Sequence, residues 1–311
     1  MKNKKLTLII PFFNENQKII RSMKIILSQI SKPDEIIFIN NSSKDNSEIK
    51  LKLFIKSINL KFKNNIKIIN NKKGLPSSAK NLGVKIAKHN YVVFFDIGLS
   101  TNNYFIYKIK NKIRPDPNFY IQGKFFFKSE DKLDRSYLMQ TYGFHTYGDC
   151  IPSSCFHKSI FSKIGYFENY RSGYDKVWLR NLKNKKQFTF YDNKMSSINY
   201  MKNVSGRNLY NIFKKIFHYS FTSVGLKNYN LDKIYMLMIL MFLLVLFTAN
   251  ILLFFSFYII LRTILIPLKK NKGMKLKNLK FQDLLLLPIV GLTIDIARSF
   301  GFILGYLSKS K

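Results

Sequence analysis

The chain is 311 residues long and 47% hydrophobic, and its 52 Lys plus Arg against 17 Asp plus Glu give a formal charge of +35. The apolar share excludes wholesale disorder, and the length allows about one domain and a half around a substantial core. Two cysteines, Cys150 and Cys155, exclude a disulfide scaffold, and with no second pair they make a poor metal site. They are expected to be reduced packing residues.

The charge calls for nucleic acid, anionic lipid or a phosphate-bearing substrate as partner. Residues 1–232 carry a net +26 and residues 233–311 a net +9, so there is no detached basic tail. That spread argues against nucleic acid. Much of the remaining charge reads as solvated surface in a chain rich in Lys, Asn and Ile.

In chain order, residues 6–10 form a short apolar run, and Ile19, Ile20, Met23, Ile26, Leu27 and Ile30 then recur at helical spacing. Residues 36–39 and 66–69 are further runs, the first followed by the polar cluster Asn40-Asn41-Ser42-Ser43-Lys44-Asp45. Ser77 or Ser78 is placed to cap a helix whose apolar face is Ala79, Leu82, Gly83 and Ile86. A fourth run, 91–95, stops at Asp96 and Gly98.

Continuous apolar strands with helices between them predict an α/β fold with a parallel sheet covered on both faces. Ligands of such sheets sit beyond the carboxyl ends of the strands, where Glu15, Asn40, Asn41, Lys80 and Asp96 fall. A carboxylate leaving a strand there suits a hard divalent cation that shares oxygen ligands with a phosphate. Lys72, Lys73 and Lys80 could meet the same phosphate, as could the N-terminus of the helix near Ser77. The plainer alternative is a strand-ending Asp among solvated lysines.

Farther along, Tyr142, Phe144, His145 and Tyr147 form an aromatic cluster, either structural or lining an acceptor cleft, and Asp149 has no assigned role. Leu209, Ile212, Phe213, Ile216, Phe217 and Phe221 make an apolar stripe opposite Lys214, Lys215 and His218. This helix either lies on a membrane or packs on the catalytic core.

The last third reads as membrane. Residues 234–261 contain no charged side chain or His over 28 positions, more than the about 20 needed to cross a bilayer. Arg262 interrupts the run, which continues to Leu268. A basic loop follows at Lys269, Lys270, Lys272, Lys275, Lys277 and Lys280. A second apolar stretch, 284–307, contains Asp295 and Arg298, spaced to pair on one face; it spans or lies in the interface. Basic loops stay cytoplasmic, so 234–268 is a hairpin turning near 248–250 or one long tilted helix. No signal peptide is visible, which places the soluble part in the cytoplasm.

The polar turns also carry a resemblance. Ile9-Ile10-Pro11-Phe12-Phe13-Asn14-Glu15 is similar to the opening strand of family 2 glycosyltransferases, the GT-A-fold enzymes that use nucleotide-activated sugars. The stretch from Pro33-Asp34-Glu35 to Asn40-Asn41-Ser42-Ser43-Lys44-Asp45 resembles their Asp-Asp-Gly-Ser-x-Asp turn. Ala79-Lys80-Asn81 within 74–83 resembles their Ala-Arg-Asn-x-Gly helix, and 91–98 the strand bearing the Asp-x-Asp metal motif. Ile151 to Lys158 and Ile164-Gly165-Tyr166-Phe167-Glu168 look like the acceptor-side strand and turn. Gly173-Tyr174-Asp175 stands where the family carries Glu-Asp before Leu-x-x-Arg-Leu, and Arg207 fits the start of an Arg-rich helix of membrane-bound members.

The resemblance implies a GT-A domain at 1–205, an interfacial helix region at 206–232 and a membrane region at 233–311. It implies that Pro11, Phe13, Glu15, Asn40, Asn41, Lys80 and Asp96 hold a nucleotide-diphosphate sugar. Asp96 would bind Mg or Mn, and Asp175 would be the base of an inverting transfer to a lipid-linked or glycan acceptor beside anionic lipids of an inner or plasma membrane. The chain departs from the family at Asn40 for Asp, Gly98 for the second motif Asp and Tyr174 for the acid before the base. A catalytically degenerate membrane scaffold in polysaccharide assembly is the alternative these departures raise. A nucleic-acid-binding protein is favoured by charge alone.

Overall fold

A computed structural model describes residues 4–28, 34–58, 65–101, 104–200, 205–206, 208–226, 251–271 and 281–309. Residues 234–250 of the expected apolar run 234–268, its turn near 248–250, most of the basic loop, and Ile30, Pro33 and Arg207 lie outside these residues. The chain divides into two compact units, Met1–Phe125 with Asp149–Met201, and Phe126–Gly148 with Lys202–Lys311.

In the first unit each expected run becomes a strand. In chain order these are β1 (Leu6–Phe12), α1 (Ile19–Leu27), β2 (Glu35–Asn40), α2 (Ser47–Ser57), β3 (Ile66–Asn70), α3 (Pro76–Ile86) and β4 (Tyr91–Phe94). Next come β5 (Leu99–Thr101), α4 (Phe105–Lys112) and β6 (Phe119–Phe127). β1 pairs in parallel with β2 and β4, and β3 pairs in parallel with β2. Both faces are covered, as unbroken Ile and Val runs require. Ile9, Ile37, Ile39 and Phe94 pack with Ala79 and Val84 of α3, while Leu8 and Phe95 meet Ile26 of α1 and Phe105 of α4.

Beyond β4 the sheet stops being wholly parallel. The chain continues through α5 (Lys132–Gln140), β7 (Thr146–His157), α6 (Lys158–Ile164), α7 (Tyr174–Asn184) and β8 (Thr189–Tyr200). The sheet order is β3-β2-β1-β4-β7-β6-β8-β5. β7 is antiparallel to β4, β8 is parallel to β6, and β5 closes the far edge antiparallel to β8. Cys150 and Cys155 are both free and buried here.

Neither Ser77 nor Ser78 caps α3. Leu75 takes the cap position with Pro76 in the first turn, where a proline's missing N–H costs nothing. Ser78 Oγ instead donates to Leu75 O, and Ser77 Oγ to Tyr170 O, 2.9 Å each.

The second unit contains α5, then α8 (Leu209–Ser223), α9 (Ile251–Ile260), a π-helical turn at Leu261–Leu265, α10 (Ile266–Lys270) and α11 (Phe281–Lys309). The stripe on α8 faces its own unit: Ile212 and Ile216 pack with Tyr137 of α5 and with Val290, Ile294 and Ala297 of α11. The two helices come very close. A Cβ on Gly301 would stand 2.5 Å from Phe217 O, and one on Gly305 2.6 Å from Phe221 O. This small-x-x-x-small spacing lets backbones touch.

Asp295 does not pair with Arg298. Its carboxylate takes the Arg262 guanidinium and the Tyr258 hydroxyl at 2.8 Å, so the charge that interrupts the first apolar run neutralises the one inside the second. Gln140 Nε2 donates to Arg262 O at 2.5 Å and Leu287 O at 3.0 Å, and Arg135 pairs with Asp283 at 2.5 Å.

Two stability measurements probe these elements. Burial alone would raise the Glu35 pKa from its ordinary 4.5, but bonds from Lys67, the Lys88 N–H and Thr7 overrule it and hold it lower. The stabilisation is therefore full above pH 4.5 and lost as pH falls through the folded value; Glu35→Gln should flatten the acid limb of an unfolding-against-pH curve. Gly301→Val should lower stability by about 1–3 kcal/mol, from overpacking against backbone, seen as a lower melting temperature in detergent.

Candidate active site

The carboxyl ends of β1 and β2 open into two turns that hold each other. Asn14 turns left-handed at φ +52°, and the N–H groups of Asn14, Glu15 and Asn16 donate to Ser43 Oγ (3.1 Å), Ser47 Oγ (2.7 Å) and Asp45 Oδ2 (3.0 Å). Lys44 N donates back to Asn14 Oδ1 at 2.8 Å. Asp and Ser in this spacing satisfy backbone groups that strands leave open at their ends.

Asn40 and Asn41 are buried within this network. Asn40 donates to Glu48 at 2.6 Å and accepts from Ser43 N at 2.9 Å. Asn41 Oδ1 accepts from Asn71 Nδ2 at 2.7 Å, and that amide also donates to Ser78 Oγ at 2.8 Å. Asn71 is the member that motif reading missed. The repeated Asn-Asn pair, 40–41 and 70–71, each closing a parallel strand, is the signal that points to it.

Lys80 lies in the second turn of α3 and is 5% exposed, whereas Lys72 and Lys73 are exposed. Its ammonium is 3.4 Å from Asp96 Oδ1 and 5.7 Å from the centre of the Tyr174 ring. Burial alone would depress the Lys80 pKa, yet Asp96, Tyr174 and Asp175 together drive it well up, so it stays charged. The Tyr174 phenol is pushed up to about 12, first by burial, then by Asp175 and Asp96 against the pull of Lys80. Burial likewise raises the Cys150 thiol, with Asp96 and Asp175 both adding to the effect. Asp96, just past β4, and Asp175, in α7, thus both act electrostatically on the same three groups.

Docking of α3 fixes this arrangement. Asn81 donates to Phe167 O at 2.8 Å and accepts from Phe167 N at 3.0 Å. Trp178 of α7 donates to Gly165 O at 2.8 Å. The segment leading into α7 is therefore tied to the helix that carries Lys80. Asp175 sits in the first turn of α7, behind a left-handed Gly173.

Glu15 is paired with Lys18 at 3.3 Å. Burial lifts its pKa and Lys18 offsets this, while Asp45 and Asp96 push it further up. Pro11 is paired with Ile39 within the sheet. Phe13 is exposed, with the Arg171 guanidinium 5.9 Å from its ring centre. In the second unit, His145 meets Phe144 and Phe126 edge to face, Tyr147 lies tilted against Phe126, and Tyr142 stacks on Phe127.

A divalent cation would find the Asp96 carboxylate here. Asp96 Oδ1 is buried and, apart from its 3.4 Å approach to the Lys80 ammonium, accepts no hydrogen bond among the described residues, which leaves a lone pair for an ion. Gly98 turns at φ +84°, a conformation that disfavours other residues, and a Cβ there would stand 3.2 Å from Lys18 Cδ. Among the described residues no three His, Cys, Asp or Glu group together. The donor set fits a cation whose other ligands are phosphate oxygens and water.

A strand–helix core ending in acid and amide turns, continued by an antiparallel strand and a second acid, is the architecture of the GT-A glycosyltransferases. Residues 7–181 match the model of glycosyl transferase family 2, and the chain belongs to that family. Among solved structures, the mannosyltransferase PcManGT from Pyrobaculum calidifontis, in complex with GDP-Man and Mn2+, aligns at 13% identity over 69% of this chain and 61% of its own, with a TM-score of 0.50. GalNAc-T7 with UDP, GalNAc and Mn2+ aligns at 11% identity over 75% and 55%, also with 0.50. S. aureus TarS 1-349 in complex with UDP aligns at 13% identity over 99% and 92%, with 0.47. The chain spans 42% of the length of a longer S. aureus TarS chain, which it matches with a TM-score of 0.42. No curated protein matches by sequence.

The buried amide bridge offers a test of the turn network. Asn71→Ala leaves Asn41 Oδ1 and Ser78 Oγ without that partner and should cost about 1–3 kcal/mol, measured as a lower urea midpoint at unchanged slope.

Proposed function

We propose that the chain transfers a sugar from a nucleoside-diphosphate donor to a glycan or lipid-linked acceptor at the cytoplasmic face of a membrane, with inversion at the anomeric carbon. The observation that carries this reading is the buried Lys80 ammonium, 3.4 Å from Asp96 Oδ1 and within the field of Asp175. The donor's diphosphate lies against Lys80 and Asp96. Its nucleoside lies along the turns of Pro11, Phe13, Glu15, Asn40 and Asn41. The side chains of Asn40 and Asn41 shape that wall, since both are spent on the turns.

Asp175 accepts the acceptor hydroxyl's proton as the new C–O bond forms and the bond to the diphosphate breaks. Lys80 offsets the charge that grows on the leaving diphosphate in a water-poor setting. A divalent cation, Mg or Mn, held by Asp96 and the phosphates would supply further positive charge there. Tyr174, where relatives carry an acid, remains a neutral phenol at physiological pH and keeps Lys80 in place.

Two features support an anchor. The 28-residue helix Phe281–Ser308 has the length and mean hydropathy, 1.6, of a membrane span. Phe281, Leu285, Ile289, Leu292, Ile296, Phe300, Ile303 and Leu307 are all exposed along one of its faces, at a spacing that lipid would cover. Lys269 and Lys270 at the end of α10 then lie on the cytoplasmic side and meet anionic lipid.

The test is a donor screen on detergent-solubilised protein with Mg or Mn, reading release of nucleoside diphosphate. We expect turnover with at least one UDP- or GDP-sugar, and a fall of about 10²–10⁴-fold in Asp175→Asn, the range for loss of a general base. Asp96→Ala should abolish the cation dependence. A folded protein that releases no diphosphate from any donor is a degenerate scaffold, and the reading falls.

A further inference from the structure

One cluster near the candidate active site has no part in the reaction above. Tyr120, Gln122 and Lys124 alternate along β6 and so share a face, and Asp192 of β8 lies opposite Gln122 in register. The largely buried Lys124 ammonium bonds Asp149 Oδ1 at 2.6 Å and Asp192 Oδ1 at 2.8 Å, while Lys183 of α7 takes the other Asp149 oxygen. Both carboxylates are more than a third exposed as side chains. The cluster is therefore open to solvent and sums to zero charge within a chain of +35.

Two observations set it apart from an ordinary surface ion-pair network. The hydroxyl of Tyr120 and Oε1 of Gln122 are buried and have no hydrogen-bond partner among the described residues, although the two residues are 1% and 0% exposed. Tyr120 pairs with Phe190 as Gln122 pairs with Asp192, so all four share the face that carries this cluster, and after burial the charges of Asp149 and Asp192 raise the Tyr120 phenol. Buried polar groups are seldom left unpaired. Beside them the ring of Phe190, stacked on Tyr120 at 5.4 Å, is 47% exposed.

The position suits an acceptor. β7 lies between β4, which delivers Asp96, and β6. Asp149 immediately precedes Cys150, on which Asp96 and Asp175 both act. Along α7, Asp175 and Lys183 are eight residues apart, about 12 Å at 1.5 Å per residue.

We infer that Asp149, Asp192, Lys124, Lys183, the Tyr120 hydroxyl and the Phe190 ring form a subsite for a neutral sugar unit of the acceptor. The carboxylates accept from sugar hydroxyls, the ammonium groups and the phenol donate to them, and the ring covers an apolar face of the sugar. Balanced charge disfavours a phosphate-bearing group, which belongs with Lys80. The inference rests on the transferase reading and extends it to the acceptor.

Saturation-transfer NMR on the full detergent-solubilised chain tests it, with a panel of methyl hexosides and methyl N-acetylhexosaminides as acceptor probes and UDP and GDP as donor probes. We expect at least one glycoside to bind, with affinity falling tenfold or more in Phe190→Ala and in Asp192→Asn. Nucleotide affinity should be unchanged, which also certifies folding. Glycoside binding identical in both variants, or absent from a protein that binds UDP or GDP, overturns the subsite. So does a parallel loss of nucleotide affinity, which would assign the cluster to the donor. Glycoside binding that responds to the variants in a protein binding neither nucleotide supports the subsite while overturning the donor reading.

Discussion

The first unit is organised around a cation that is out of water. An isolated buried ammonium is strongly disfavoured, and Lys80 is tolerated because Asp96 pairs with it, Asp175 adds to the field that keeps it charged, and the Tyr174 ring lies beside it. The placement of α3 and α7 is therefore part of the electrostatics, and α3 is tied to the segment before α7 by Ser77 and Asn81. Apolar strands supply the bulk of the burial, and polar turns decide where the strand ends point.

The second unit solves a different problem with similar means. Its helices α9 and α11 also expose apolar side chains, so apolar burial alone does not fix how they pair. Close backbone contact at Gly301 and Gly305 and paired charges at Arg262 and Asp295 provide the specificity instead. Both depend on residues three or four positions apart on one helix, or on facing helices, rather than on apolar content.

Much of this was legible in the residues. The strands 6–10, 36–39, 66–69 and 91–95 stood out because covered parallel strands are apolar on both faces, and Lys80 and Asp96 were read as lying at or just past their ends, whereas Asp175 came only from the family resemblance. Pairing across the chain was not legible. The partner of Asp295 is thirty-three residues away, in a different helix, whereas helical spacing proposes only Arg298. The α8 stripe showed that something apolar covers it but not what, and α11 proved to be the cover. Ser77 and Ser78 look like caps because caps use serine, yet Pro76 already served that end and freed them for tertiary bonds. The antiparallel β7 was legible only through the family resemblance of 151–158, because an Ile-Pro-Ser-Ser-Cys stretch lacks the continuous apolar signature of β1 and β2.

The two sulfhydryls have a practical consequence. Thiolates, not thiols, react with alkylating reagents, and Cys150 and Cys155 are both buried with their ionisation suppressed. The natural chain is therefore a silent background for site-directed labelling. A single cysteine introduced on an exposed position of either unit would carry a fluorophore or spin label alone, without first stripping the protein of its own.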